Sequence, residues 1–219
     1  MQATLLPALG AWFRWTIEGS NNLPSEGPAI VASNHIAYLD PLAVGYAVNR
    51  AGRRPRFLTK SELFEDRRIG WVLRATRQIE VRRGTAQAAS ALDDALRALD
   101  RGELVVIFPE GTVTTDPDLR PMAARSGAVR LALRSSAPVV PCAVWGTANV
   151  WPKGAYAKRW APRQDIAVRF GEPIAIEGSV DSPAHWRRGA AQLMDEIAML
   201  VASLKPVVPD GRRPLSRST

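Results

Sequence analysis

Apolar and polar positions change their period several times along the chain, and each change predicts an element. Unbroken apolar runs at 28–32, 104–108 and 139–144 predict strands buried on both faces, as in a parallel sheet. Ile166, Val168 and Phe170 alternate with other residues and predict a further strand, and 13–18, 56–60 and 78–82 read as short strands. Helical spacing follows Thr85, where Ala88, Leu92, Ala95, Leu96 and Leu99 share a face and Gly102 supplies the stop. Residues 124–134 place Ala128, Leu131 and Ala132 together in the same way. A last helix opens at Ser182-Pro183 and aligns Trp186, Ala190, Leu193, Met194, Ile197, Leu200, Val201 and Leu204. Shorter helices are expected at 41–49, with Asp40 as N-cap and Pro41 in the first turn, and around Ile69, Trp71, Val72 and Leu73. Residues 149–164 read as a long loop, and 205–219 as a basic disordered tail. The alternation predicts a single α/β domain over 18–204, a mixed, mostly parallel sheet of about seven strands flanked by helices.

The opening stretch 1–17 is different in character. Leu5, Leu6, Leu9, Trp12, Phe13 and Trp15, with Arg14 among them, suggest an amphipathic segment that docks in a bilayer interface; a helix or strand packed on the domain is the alternative. No apolar run reaches the roughly 18–20 residues of a membrane span, and no secretory leader pattern is present, so a soluble or peripheral protein is expected. A length of 219 residues suits one core without disulfides, and 46% hydrophobic with 23% charged residues excludes general disorder. The one cysteine, Cys142, lies in an apolar run and reads as a core thiol compatible with a reducing compartment. A net charge of +8 points to anionic partners: nucleic acid, an acidic membrane surface or phosphorylated substrates. The loop from Trp151 to Trp160 sets aromatics beside Lys153, Lys158 and Arg159, which fits anchoring among lipid headgroups as well as simple exposure.

Chemistry concentrates at Asn34 to Asp40. Histidine exchanges a proton near neutral pH, and a carboxylate can orient its ring. On one helix, residues five apart diverge by about 140° around the axis, so His35 belongs at the end of the 28–32 strand and Asp40 at the start of the next helix. Pro109-Glu110-Gly111-Thr112 follows another buried strand, at the end where α/β sheets bind ligands. Gly111 permits close backbone approach, Thr112 offers a hydroxyl, and Glu110 can hold an arginine or a substrate hydroxyl. Arg83 after the fourth strand and Arg125 before a helix suit phosphate recognition. His185, the other histidine, sits beside Arg187 and Arg188 and reads as a solvated residue.

Taken together and in order, Asn34-His35 with Asp40, Phe108 to Thr112, Arg83 and Val139-Val140-Pro141 resemble the four motifs of the glycerolipid acyltransferase family, the 1-acylglycerol-3-phosphate acyltransferases. The resemblance spans about 19–144. It implies that His35 is the general base and Asp40 its partner. It further implies that Arg83 with Glu110, Gly111 and Thr112 binds the acceptor's phosphate, and that Val140 and Pro141 shape the acyl-donor site. In one place the pattern is broken: Val113 stands where the family has an arginine. Lys60, Arg83 or Arg125 would then supply the charge, or the acceptor is glycerol 3-phosphate or another lysolipid or glycolipid. The implied partners are acyl-CoA, or an acyl carrier protein thioester, lysophosphatidate and the cytoplasmic surface of the cell membrane. No cofactor, metal or nucleic acid is implied. Two other classes fit less well. A metal hydrolase lacks a second histidine or cysteine cluster to complete a site, and a basic nucleic-acid-binding domain leaves the paired motifs unexplained.

Overall fold

The apolar runs become strands close to their expected places in a computed structural model, which describes residues 2–81, 85–154 and 162–204. In chain order the elements are α1 (Gln2–Trp12), β1 (Arg14–Glu18), β2 (Ala29–Ser33), α2 (Asp40–Arg50), β3 (Pro55–Lys60), α3 (Ser61–Glu65), α4 (Gly70–Ala75) and β4 (Ile79–Val81). There follow α5 (Thr85–Asp100), β5 (Leu104–Ile107), α6 (Gly127–Ser135), β6 (Val139–Trp145), α7 (Thr147–Val150), β7 (Asp165–Phe170) and α8 (Pro183–Leu204). The strands form one seven-stranded sheet in the order β1-β7-β6-β2-β5-β3-β4. Only the β6–β7 pairing is antiparallel, so β1 and β7 run against the other five. The expected single α/β domain with a mostly parallel sheet is what the chain forms.

Strand alternation divides the core into two layers. On one face Val31, Val106, Val140, Cys142 and Val144 pack with Ala43, Val44, Ala47 and Val48 of α2. On the other, Ile30, Ala32, Val105, Ile107 and Ala143 meet Leu92 and Leu99 of α5, Leu131 of α6 and Leu193 and Ile197 of α8. Each fully buried Val or Leu stabilises by roughly 1.5–3 kcal/mol relative to exposure, which makes the central strands the rigid part of the molecule. Because β2, β3, β4, β5 and β6 run in one direction, their carboxyl ends share one edge of the sheet.

Several expectations change. The opening stretch is not one unit through residue 17: β1 completes the sheet by pairing with β7 in the register Arg14↔Asp165, reinforced by Arg14 contacts of 2.6 Å to both Asp165 oxygens. Nor is α1 amphipathic in the charged sense, since Gln2–Trp12 carries no ionisable side chain. Leu9 and Phe13 are buried and Trp15 stacks on Tyr46 at 4.2 Å, while Pro7, Ala8, Ala11 and Trp12 are exposed. α6 starts at Gly127 rather than 124, because Arg125 N–H still donates to the Pro109 carbonyl in the preceding loop. The loop expected at 149–164 begins later, since α7 extends to Val150 and Pro152 then bridges to Ala37. Residues 155–161 and the tail 205–219 lie outside the described residues. Among the described residues, no helix is long and apolar enough to cross a membrane.

Gly146 links β6 to α7 with φ 89°, and a Cβ there would stand 2.1 Å from the Asp165 carbonyl oxygen. Gly146→Ala should therefore destabilise by about 2–3 kcal/mol, lowering Tm by roughly 4–12 °C in a thermal melt; an unchanged melt would contradict this backbone constraint.

Candidate active site

At the end of β2 the chain does not simply turn away. Asn34 extends the β2–β6 ladder through its side chain, with Nδ2 donating to the Val144 carbonyl at 3.1 Å and Oδ1 accepting the Val144 N–H at 2.8 Å. His35 thus leaves the sheet from a pinned position. Its backbone is held on both sides: the N–H donates to Glu110 Oε1 at 2.8 Å, and the carbonyl accepts the Thr114 N–H at 2.7 Å.

His35 Nδ1 lies 2.8 Å from Asp40 Oδ2. An ionised carboxylate only accepts, so Nδ1 is the donor of this pair and Nε2 is the ring nitrogen turned away from it. The same oxygen accepts the N–H groups of Ile36 at 2.6 Å and Ala37 at 2.8 Å, and Oδ1 accepts the Thr147 hydroxyl at 2.5 Å. Asp40 is 0% exposed, whereas the His35 side chain is 15% exposed. The ring rests on Phe108 with centroids 4.3 Å apart and planes 24° apart. The carboxylate is therefore enclosed and the imidazole opens outward. Asp40 is also not the expected N-cap: it is the first residue of α2, and its side chain binds the amides before the helix, not those within it.

Glu110 is turned inward. At 4% exposure it directs one oxygen to the His35 amide and the other to the Met122 amide, 3.0 Å away, so it holds two loops together. Burial pushes its carboxyl above the ordinary carboxylate range, opposed by the amide hydrogen bonds from Met122 and His35. Val140 and Pro141, expected to shape a donor site, are buried inside β6, with Val140 in the sheet–α2 core; they position the strand and do not line an open cleft. Cys142 is a core thiol whose pKa burial raises to about 12.

Of the expected phosphate contacts, Lys60 ends β3 on the same sheet edge and is exposed, and Thr112 is half-buried on the turn after β5. Arg125 is exposed with its guanidinium against Gly111, whose φ of 70° favours glycine; a Cβ there would stand 2.9 Å from Arg125 Nε. Arg83 lies outside the described residues. His185 is far along the chain in α8 and accepts the Ser179 N–H at 2.7 Å through Nδ1. The sequence reading missed Thr147 and the pinning role of Asn34. A signal for the first was present, a hydroxyl just past the end of a buried strand, but only the β6–β2 adjacency brings it to Asp40.

A family model described as Acyltransferase matches residues 14–145. A chloroplastic 1-acyl-sn-glycerol-3-phosphate acyltransferase of Brassica napus is 30% identical over 165 residues, 74% of this chain and 46% of that protein. An uncharacterized protein of Mycobacterium tuberculosis is 33% identical over 193 residues, 81% of this chain and 51% of its own length. The chain thus spans about half the length of these curated relatives. The crystal structure of the 1-acyl-sn-glycerophosphate acyltransferase PlsC from Thermotoga maritima shares the fold, with a TM-score of 0.68 over 90% of this chain and 76% of that one, at 24% identity.

Removing the Thr147 hydroxyl leaves one Asp40 oxygen buried without its donor. Thr147→Val should lower stability by about 1–3 kcal/mol in urea unfolding, while Thr147→Ser keeps most of it; equal stability of all three proteins would show that the 2.5 Å contact is not a working hydrogen bond.

Proposed function

Because the chain belongs to the acyltransferase family, we propose that it transfers a fatty acyl group from acyl-CoA to the free hydroxyl of 1-acylglycerol 3-phosphate, making phosphatidate. The observation that carries this reading is the His35–Asp40 pair: Nδ1 held at 2.8 Å by a carboxylate that three further donors immobilise. The name of the Brassica relative supports the acceptor.

In this mechanism the acceptor hydroxyl lies against His35 Nε2. As its oxygen attacks the thioester carbonyl, the proton passes to Nε2, and the Asp40 carboxylate stabilises the imidazolium that forms. Collapse of the tetrahedral intermediate breaks the C–S bond, and the thiolate takes the proton back from His35. The ester and the free thiol are the products, with no acyl-enzyme on the path. Phe108 beneath the ring and Asp40 behind it restrict His35 to one orientation, so little reorganisation is needed as charge moves.

The acceptor and its product are lipids, and the reading places the protein on the cytoplasmic surface of the cell membrane. Support comes from α1, whose exposed Pro7, Ala8, Ala11 and Trp12 present an uncharged face. Trp12 is 44% exposed at the end of that helix.

His35→Ala should lower kcat by about two to four orders of magnitude in a thiol-release assay with acyl-CoA and lysophosphatidate. Turnover near that of the unaltered protein would overturn the general-base assignment. In the same assay, glycerol 3-phosphate and other lysolipids should be poorer acceptors than lysophosphatidate. For the surface, Ala8→Glu with Trp12→Glu leaves the Leu9 core contact in place and should reduce co-sedimentation with anionic vesicles severalfold; undiminished binding would discard α1 as the docking element.

A further inference from the structure

Extending the acyl-transfer reading, on which it rests, we propose that Thr147 is a positioning residue of the reaction: its hydroxyl fixes the plane of the Asp40 carboxylate and, through it, keeps the His35 imidazole neutral and aimed at the acceptor.

The four donors to Asp40 are divided unevenly between its two oxygens. Oδ2 accepts from His35 Nδ1 and from the amides of Ile36 and Ala37, whereas among the described residues Oδ1 accepts from Thr147 alone, at 2.5 Å. The terminal torsion of an aspartate is soft, so a carboxylate gripped by one oxygen still turns about its last bond. The hydroxyl on the second oxygen stops that rotation. Because Oδ2 also holds the ring, the direction of Nε2 on the far side of the imidazole follows the carboxylate plane.

The hydroxyl is itself placed from outside the His35 loop. Gly146, in the left-handed region at φ 89°, makes Thr147 the first residue of α7 and lies tight against the Asp165 backbone. The Trp151 N–H donates to the Thr147 carbonyl at 3.0 Å, the Tyr38 N–H donates to the Trp151 carbonyl at 3.2 Å, and Pro152 bridges to Ala37. The strap 146–152 thus meets the 35–40 loop twice, at Asp40 through a side chain and at 37–38 through the backbone. Only the first contact needs the hydroxyl, so Val, which keeps the branched shape, removes that contact and leaves the strap.

The hydrogen bond also favours one charge state of the pair. A donor gives most to a carboxylate whose charge is unshared, which is the case while the imidazole is neutral; a protonated ring draws on the same charge. Thr147 therefore stabilises the free base relative to the imidazolium, and its removal should let the ring take a proton more readily. The other ionisable groups around the pair do not replace it. Glu110 at the end of β5 is held by two amides, and the Cys142 thiol of β6, pushed up to about 12, stays neutral. Lys153 Nζ is on the Val113 carbonyl, and the Tyr38 ring lies against Trp151. Ser33 and Asn34 at the end of β2 are neutral, and α7 carries no charged side chain.

The test compares the unaltered protein with Thr147→Val and Thr147→Ser, each assayed well below its own melting temperature so that only folded protein is read. With acyl-CoA and lysophosphatidate, Thr147→Val should lower kcat about tenfold with KM within about twofold. The acid limb of its kcat/KM profile should move to higher pH, so that the loss is greater below neutrality than above it, and Thr147→Ser should recover most of both effects. Unchanged kcat, or a loss of one size across the whole profile, would leave Thr147 a structural contact and overturn the proposal. Nitrogen NMR of the His35 ring, told apart from His185 by a His185→Gln protein, gives a readout without substrate. Thr147→Val should protonate at higher pH than the unaltered protein, and superimposable titrations would overturn the proposal. If the unaltered protein released no thiol with any acceptor, acyl transfer would fail while these spectra still judged the hold of Thr147 on His35.

Discussion

A carboxylate removed from water is tolerated only when hydrogen-bond donors take the place of the solvent, and Asp40 is the case around which this molecule is arranged. Its donors come from His35, from the amides of Ile36 and Ala37, and from the Thr147 hydroxyl. The first three follow β2 and the last follows β6, the neighbouring strand. No local segment could satisfy the group alone. The β2–β6 pairing, extended by the Asn34 side chain to Val144, is what brings the two sources together. The half-buried imidazole is in this sense the outermost member of a network whose centre, Asp40, is fully buried.

Glu110 repeats the device on the other side. It too is a buried carboxylate at a strand end, and it grips the His35 backbone amide from β5, the other neighbour of β2. The two acids divide the work: Asp40 sets the ring and its hydrogen, and Glu110 sets the chain from which the ring projects. Since one oxygen of Glu110 also holds Met122, the loop after the 111–113 turn is bound to the same point. That loop carries Arg125 back to Gly111, so His35 and the 111–113 turn are referenced to a single edge of the sheet. Reaction geometry depends on such common referencing, because small displacements between a base and a bound acceptor are costly in rate.

Much of this was legible from patterning. Apolar runs marked β2, β5 and β6, alternation marked β7, and the spacing of Leu92 with Leu99 and of Leu193 with Ile197 marked helices that do pack on the sheet. Divergence of positions five apart on a helix placed His35 and Asp40 on either side of a strand–helix junction, where they are found. Less legible were assignments of task. Glu110 and Asp40 are acidic residues in turns, and turns usually expose such residues or use them as caps; only the packing of neighbouring strand ends turns both inward. Val140 and Pro141 read as motif residues yet serve within a buried strand. The 13–18 strand is legible, but its place is not: β1 joins the sheet through β7, some 150 residues later, so sequence alone does not separate it from the docking segment before it.

Local periodicity and turn chemistry depend on near neighbours, so the sequence by itself determined the class of the domain, the succession of its elements and the residue types able to move a proton. Tertiary structure decided which strand ends are adjacent, and therefore that Thr147 meets Asp40, that Glu110 meets the His35 amide, and that Lys153 reaches Val113. Those contacts join residues 107, 75 and 40 positions apart. No periodicity of the chain encodes such pairings; they follow from the strand order, which sets β6 and β5 on either side of β2 and so brings their ends together.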